Sequence, residues 1–321
     1  MTTGRAWFER GEVLLNQRRA DEALPAFEAA QAAGFDFHAV ASRIWTCAML
    51  LGQLDLAWHV SDQVLIRRRI ENLRCHDQPL HRQWLWDGRS PVGQDVLVRC
   101  HHGLGDIIQM ARLLVPLRRL VSELRVQAPT ATLDLVSRIE AIDEVADLSA
   151  APPRHEIAME LMELPHALRL SWASLPTGCV FGFRHLSPCA AREPVRVGIA
   201  WAAGTWRPER SLPLDALKPL ATLPGVHFVC LQRGPDLGQL AGSRFPFTEH
   251  NRTDEVLATI AIMQNLDLVI SVDTMVAHLA GAIGCPVWLL LDAAADWRWL
   301  IDRSDSPWYP SMRLFRQTSP G

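Results

Sequence analysis

The stretch LDLVISVDTMVAHLAGAIGCPVWLLL, residues Leu266 to Leu291, reads as three successive pieces. Leu266–Val272 is a short β-branched apolar run, the pattern of a buried strand. Met275–Ile283 is apolar with small residues at Ala277, Ala280 and Ala282, the pattern of a closely packed helix, and Pro286–Leu291 is a second apolar run. Strand, helix, strand with no hairpin turn is the unit of a parallel sheet. Asp273 and Thr274 fall at the turn from strand to helix, where either can cap the helix. His278 follows Thr274 by one helical turn on the same face, so it can point into the same space.

The same rhythm extends upstream. VRVGIAW (195–201) and VHFVCLQ (226–232) predict strands, and a helix is expected near 254–265. Earlier still, DVLVRC (95–100) leads through the glycine turn HHGLGD (101–106) into the apolar-periodic IIQMARLLVPLRRL (107–120), with further strands expected over 123–128, 143–148 and 155–161. The proline- and charge-bearing stretch Ser187–Pro194 separates the two series as a linker. The fold class is therefore α/β, a pair of Rossmann-like, doubly wound parallel-sheet domains. In such folds ligands bind at the carboxyl ends of the strands.

The N-terminal portion differs. Helices are expected at short intervals from Ala6 to Arg69; Ala23 recurs as Ala57 and Arg18 as Gly52, a period of about 34 residues, the length of a tetratricopeptide repeat. Trp7, Gly11, Leu14, Ala23, Phe27 and Ala30 occupy the bulky and small places of a first helix pair; Trp45, Ala48, Ala57 and Val64 occupy those of a second. Two such units bury too little to stand alone and should pack on the rest of the chain. The expected domains are a tetratricopeptide-like helical region at 1–75, a first Rossmann-like domain at 76–186 and a second at 187–321.

Composition narrows the chemistry. The chain of 321 residues is 49% apolar with a formal charge of -3, which argues against a nucleic acid partner. Lys218 is the only lysine, so phosphate has to be met by arginine. Seven scattered cysteines without a CxxC pair point to a reducing, cytoplasmic setting, and no apolar run is long enough to span a bilayer. Cys75, His76 and His81, like Cys100, His101 and His102, lack the paired spacing of a structural zinc site, so no metal is expected. No GxxxxGK[ST] loop is present, and no GxGxxG follows either first strand, which sets kinase-like and dinucleotide-binding readings aside.

Three loops can carry chemistry. His101, His102, Gly103 and Gly105 lead to Asp106, with Gln109 in the helix beyond; Asp106 either stabilises the helix N-terminus electrostatically or acts as a general base towards a hydroxyl. Gly204 and Thr205, continuing to Arg207, Arg210 and Ser211, form a small-residue turn with two guanidinium groups suited to a diphosphate. Around Asp273, Thr274 and His278, a carboxylate would repel a diphosphate, so Asp273 is expected to orient the loop or bind hydroxyls while Thr274 and His278 face phosphate.

WDGRSPVGQDVLVRCHHGLGDIIQMARLL (86–114), RVGIAWAAGTWRPERSLPL (196–214) and residues 266–317, taken in this order, resemble the heptosyltransferase-like glycosyltransferases (family 9-like) of the GT-B fold, in particular the bacterial proteins in which tetratricopeptide repeats precede the transferase. The resemblance implies Asp106 as catalytic base, and Gly204, Thr205, Arg210 and Ser211 as the diphosphate loop. It also implies Asp273, Thr274 and His278 as the donor loop, and Gln232 to Gly234 near the nucleotide base. It implies inverting transfer from a nucleoside-diphosphate sugar, without metal or cofactor, to a hydroxyl; the repeats suggest a protein or peptide acceptor. Two departures stand out: a lysine common among relatives is replaced by Arg207 or Arg210, and Met275 and Val276 stand where relatives often have glycine. The rival expectations are an inactive repeat-containing scaffold, and a sugar-nucleotide epimerase or hydrolase on the same architecture.

Overall fold

The computed structural model describes residues 3–73, 75, 77–183, 193–204, 207–251 and 253–318. Four helices open the chain: α1 (Gly4–Asn16), α2 (Ala20–Ala32), α3 (Phe37–Leu50) and α4 (Leu54–Ile70). Thr3 and Asp36 cap α1 and α3 by accepting the N–H groups of Ala6 and Ala39. The α1–α2 and α3–α4 turns both pass through a left-handed residue, Arg18 at φ 63° and Gly52 at φ 72°. Gly11 lets the Phe27 ring approach α1 closely, since a Cβ there would be 2.5 Å from the ring. Ala20, Ala23, Phe27, Ala30, Val40 and Cys47 are fully enclosed in the core these helices share.

Along the chain, the next elements are β1 (Asp95–Arg99), α5 (Leu104–Met110), α6 (Leu114–Arg118), β2 (Glu123–Ala128), α7 (Thr130–Val136), β3 (Glu144–Asp147), β4 (Ile157–Glu160) and α8 (Leu164–Ala167). After these come β5 (Val195–Ala200), β6 (Val226–Cys230), β7 (Phe247–His250), α9 (Val256–Met263), β8 (Leu268–Val272), α10 (Met275–Ala282), β9 (Val287–Leu291) and β10 (Met312–Arg316). The first sheet has the order β3-β2-β1-β4 and the second β10-β9-β8-β5-β6-β7; every pairing is parallel. Two parallel-sheet α/β domains preceded by a helical region is the expected architecture. β7 and β10, the two edges of the second sheet, were not anticipated.

Compactness divides the chain differently from its linear order. One unit comprises Met1–Ser90, Pro165–Leu175 and Ala294–Arg303; the other comprises Pro91–Leu164, Pro176–Ala293 and Ser304–Gly321. In the helical unit the two later segments satisfy groups on α3 and α4. The Trp58 indole N–H donates to the Leu170 carbonyl at 2.7 Å, the Trp172 indole N–H donates to the Gly52 carbonyl at 2.8 Å, and Trp45 meets Trp297 edge-on at 5.7 Å. His166 lies between Trp58 and Trp86, its Nε2 2.9 Å from Asp62, which also receives two hydrogen bonds from Arg169. Burial draws the His166 pKa below its usual value, outweighing the opposing pull of Asp62.

Among the described residues no helix is long and apolar enough to cross a membrane. The described cysteines are free; burial pushes the thiols of Cys47 and Cys285 up to about 12 and that of Cys230 to about 11, and Cys189 lies outside the described residues.

Candidate functional site

Each sheet reverses its strand order once: the first between β1 and β4, the second between β5 and β8. At a reversal the connections leave in opposite directions and open a crevice at the carboxyl ends of the strands. The three loops singled out in the sequence leave from three of these four strand ends, those of β1, β5 and β8. In the same unit α5 packs on α10, bringing the loop after β1 against the loop after β8. The contact is close: a Cβ on Gly105 would lie 2.8 Å from Cδ2 of His278.

In the second sheet, Arg210, Asp273 and His278 converge. Asp273, 5% exposed, has one carboxylate oxygen 3.4 Å from Nη1 of Arg210 and the other 3.5 Å from Nε2 of His278. The chain folds this way because Ser271–Val272 complete β8 in the sheet interior, which drops Asp273 at the strand end and starts α10 two residues later. Thr274 occupies the N-cap position of α10, but its hydroxyl makes no capping bond and instead lies 3.2 Å from the Ser271 hydroxyl. Among the described residues, Nε of Arg210 is buried without a hydrogen-bond partner. This cluster offers a guanidinium, an imidazole and the N-terminal N–H groups of α10, a set that binds phosphate oxygens, beside a carboxylate that accepts from hydroxyls.

The other residues expected on the donor side have partners of their own. Arg207 pairs with Asp292, which lies just past β9, at 3.0 Å. The Ser211 hydroxyl accepts the Ala203 N–H, bracing the turn after β5. Gln232 is almost fully buried; its carbonyl accepts the N–H groups of Trp201 and Ala202 and its amide donates to the carbonyls of Ala202 and Arg233. Its amide group thus shapes the loop after β5. Gly204 is exposed, with none of the described residues near its Cα face, and Thr205 lies outside the described residues.

On the first sheet, Oδ2 of Asp106 accepts the Gly103 N–H at 3.1 Å, closing the turn at the start of α5. Sequence reasoning did not single out Glu160. Its carboxylate, buried at the end of β4, accepts the His101 N–H at 3.0 Å, lies 2.9 Å from Nδ1 of His102 and also accepts the Met162 N–H. β4 sits beside β1, so a carboxylate at its last residue reaches the glycine turn directly. Gln109, expected on the acceptor side, is fully buried in α5. Two further residues were not singled out: Tyr309, whose hydroxyl is 2.9 Å from Nδ1 of His278, and Arg112, whose guanidinium lies 4.7 Å from the Tyr309 ring centre. Tyr309 is the only tyrosine in the chain, a signal the sequence does carry. Among the described residues no three His, Cys, Asp or Glu side chains gather as a metal-binding set.

No family model matches the chain. The protein FlbA of Caulobacter vibrioides is 29% identical over 130 residues, covering 37% of this chain and 22% of that protein. The match therefore spans less than a quarter of that relative's length. Among solved structures, the ADP-heptose LPS heptosyltransferase II of E. coli has a TM-score of 0.50 at 14% identity, covering 71% of this chain and 92% of that one. A glycosyl transferase family 9 structure from Veillonella parvula gives 0.48 at 12% identity, covering 71% and 87%. At 14% identity the likeness to the E. coli enzyme is one of fold, and the fold it shares is the pair of parallel-sheet domains described above.

Proposed function

We propose that this chain is a glycosyltransferase of the family 9 type, moving a sugar from a nucleoside-diphosphate sugar to a hydroxyl with inversion and without a metal. The observation that carries the reading is the convergence of Arg210, Asp273 and His278 at the strand-order reversal of the second sheet, against Gly105 of the loop that leads into Asp106. The diphosphate meets Arg210, His278 and the N-terminus of α10, where positive charge offsets the charge that grows on the leaving group. Asp273 binds sugar or ribose hydroxyls and keeps Arg210 and His278 oriented. Ser211 braces this loop and Thr205, next to Gly204 in the sequence, is assigned to the donor with it; Arg207, paired with Asp292, takes the outer phosphate.

Asp106 removes the acceptor proton as the hydroxyl attacks the anomeric carbon; the bond to the diphosphate breaks, and the diphosphate leaves with its electron pair. Glu160 holds His101 and His102 beside it on the acceptor side. The helical region, read as tetratricopeptide-like from its two left-handed turns and the buried Ala23 and Ala57, recruits a protein or peptide acceptor. The domains of this reading are 1–75, 76–186 and 187–321, and a cytoplasmic setting suits its donor. One observation favours a second reading, an inactive scaffold: the Asp106 carboxylate is already engaged by its own helix turn.

Calorimetry with ADP, UDP and GDP, followed by a panel of their sugars and CMP-sugars, tests both. Binding of one diphosphate, weakened about tenfold or more in Arg210→Ala, is the expected result. Asp106→Asn should keep that affinity and lose transfer by about 10²–10⁴-fold. Equal turnover by Asp106→Asn removes the base. Absence of any binding favours the scaffold, and release of free sugar without acceptor favours a hydrolase.

A further inference from the structure

Arg112, between α5 and α6, is a buried charge with no opposite charge to meet it. It is 3% exposed; Nε donates to the Gln109 carbonyl at 2.9 Å, and Nη1 donates to the carbonyls of Pro176 at 3.1 Å and Trp308 at 2.6 Å. The guanidinium faces the Tyr309 ring, 4.7 Å from the ring centre. Among the described residues no Asp or Glu lies within ion-pair distance of it, and the titratable groups that act on it are Tyr309 and Cys179. Burial pulls its pKa below the usual value, yet an arginine stays protonated, so the positive charge remains. Carbonyl dipoles satisfy the guanidinium hydrogens without cancelling that charge. A cation buried at such a cost is accounted for by an anion that arrives after folding.

The charge stands one aromatic ring behind the donor site. The Tyr309 ring that it faces has its hydroxyl 2.9 Å from Nδ1 of His278 and its centre 5.7 Å from the centre of the His278 ring. A Cβ on Gly281 would lie 2.7 Å from the Tyr309 ring, so α10 is seated directly against the ring that separates the charge from His278. Tyr309 and His278 are buried, as are Gln109, Met110, Ala111 and Leu113 on either side of Arg112. A field crosses such an interior with far less screening than it meets at a surface. Nearer the cleft, Asp273 is met by Arg210 at 3.4 Å and Asp292 by Arg207 at 3.0 Å. Each of those guanidinium groups has its carboxylate; Arg112 has none.

Resting on the donor-site reading above, we propose that Arg112 is a positioning residue that works through its charge: a fixed, buried cation whose missing counter-ion is the diphosphate of the donor. It touches no ligand. His278, Arg210 and the N-terminus of α10 make the contacts, and Arg112 adds from behind them a positive potential that salt screens less than it would a surface arginine. As the bond to the sugar breaks and charge grows on the diphosphate, the same potential favours the leaving group. A purely structural role, tying the end of α5 to Pro176 and Trp308 through their carbonyls, needs hydrogen-bond donors at this position but no charge.

The test uses the full chain and whichever of ADP, UDP and GDP binds it, together with the matching monophosphate and nucleoside, by calorimetry and, for the weaker ligands, by competition. Arg112→Gln keeps donors for the carbonyls and removes the charge; Arg112→Lys keeps the charge. In Arg112→Gln the diphosphate should bind about tenfold or more weaker, the monophosphate should lose less, and the nucleoside should be unchanged; Arg112→Lys should restore most of the diphosphate affinity. An equal loss for all three ligands, undiminished diphosphate binding by Arg112→Gln, or a lysine variant as weak as the glutamine one overturns the proposal. Should Arg112→Gln fail to fold, the lysine variant carries the test alone. A buried ammonium gives up its proton as pH rises where a guanidinium does not, so its diphosphate affinity relative to wild type should fall between about pH 7.5 and 10.5. Cys179 and Tyr309, which act on this position, are present in both proteins and cancel in that ratio, and a ratio that stays constant overturns the proposal. If none of the three diphosphates binds the wild type, the donor-site reading fails and takes the assigned ligand with it. If one binds and the charge of Arg112 makes no difference, only this inference falls.

Discussion

At Gly105 the absence of a side chain is what allows the loop after β1 to touch the ring of His278. Glycine is used here for closeness: its φ is not in the left-handed region, so alanine meets no backbone strain, only the 2.8 Å contact with Cδ2 of a ring already fixed on its other side by Tyr309. Gly105→Ala should therefore destabilise the protein by about 1–3 kcal/mol, the usual cost of overpacking, and should weaken nucleotide diphosphate binding, as read by denaturant unfolding and calorimetry. Full stability in that variant would mean that α5 and α10 part easily. Asp273 and His278 were legible in the sequence because their setting is local: a strand ends, a helix begins, and the helix repeat places both on one side. Tyr309, Arg112, Glu160 and Asp292 were not. Each acts on a partner tens of residues away in the chain, and no periodicity reports which strand end lies beside which. Gln232 was legible as a position and not as a role, since what it binds is backbone.

Among the elements, α4 illustrates how a histidine couples a helix to a distant segment. His166 has its pKa lowered chiefly by burial, with the hydrogen bond to Asp62 pulling the other way; Asp62 is itself held below the usual carboxylate range, because the bonds from Arg169 and His166 outweigh its own burial. For His166 the folded state binds fewer protons than the unfolded one, so its share of stability is whole above about pH 6.5 and falls as pH drops below that value. For Asp62 the share is present above about pH 3.9 and is lost only below it. Thermal stability should thus fall as pH drops from about 7.5 to 5.5, and the fall should shrink in His166→Gln, whose amide can still donate to Asp62. An identical pH dependence in the variant would place its source elsewhere. The strands flanking the site were legible from their apolar runs. β7 and β10 were not, because these edge strands are only four and five residues long, β7 has no buried residue, and neither carries a continuous apolar stretch.

For the whole molecule, the notable property is that the helical unit is assembled from three separate parts of the chain. The expectation that two helix pairs bury too little to stand alone has its counterpart in Leu170, Trp172 and Trp297, which supply partners for Trp58, Gly52 and Trp45. A fragment of residues 1–90 should accordingly melt at a lower temperature and less cooperatively by circular dichroism than the same helices in the full chain, and a peptide of residues 165–175 should partly restore it. A fragment that melts as sharply and as high as the full chain would show that these later segments are decoration. The same arrangement has a consequence in time. During synthesis Trp45 emerges long before Trp297 exists, and at roughly 5–20 residues per second the interval is on the order of ten to fifty seconds. Throughout that interval Trp45 lacks the ring it meets edge-on in the finished fold, so the helical unit cannot be completed until residues made long after its helices have emerged.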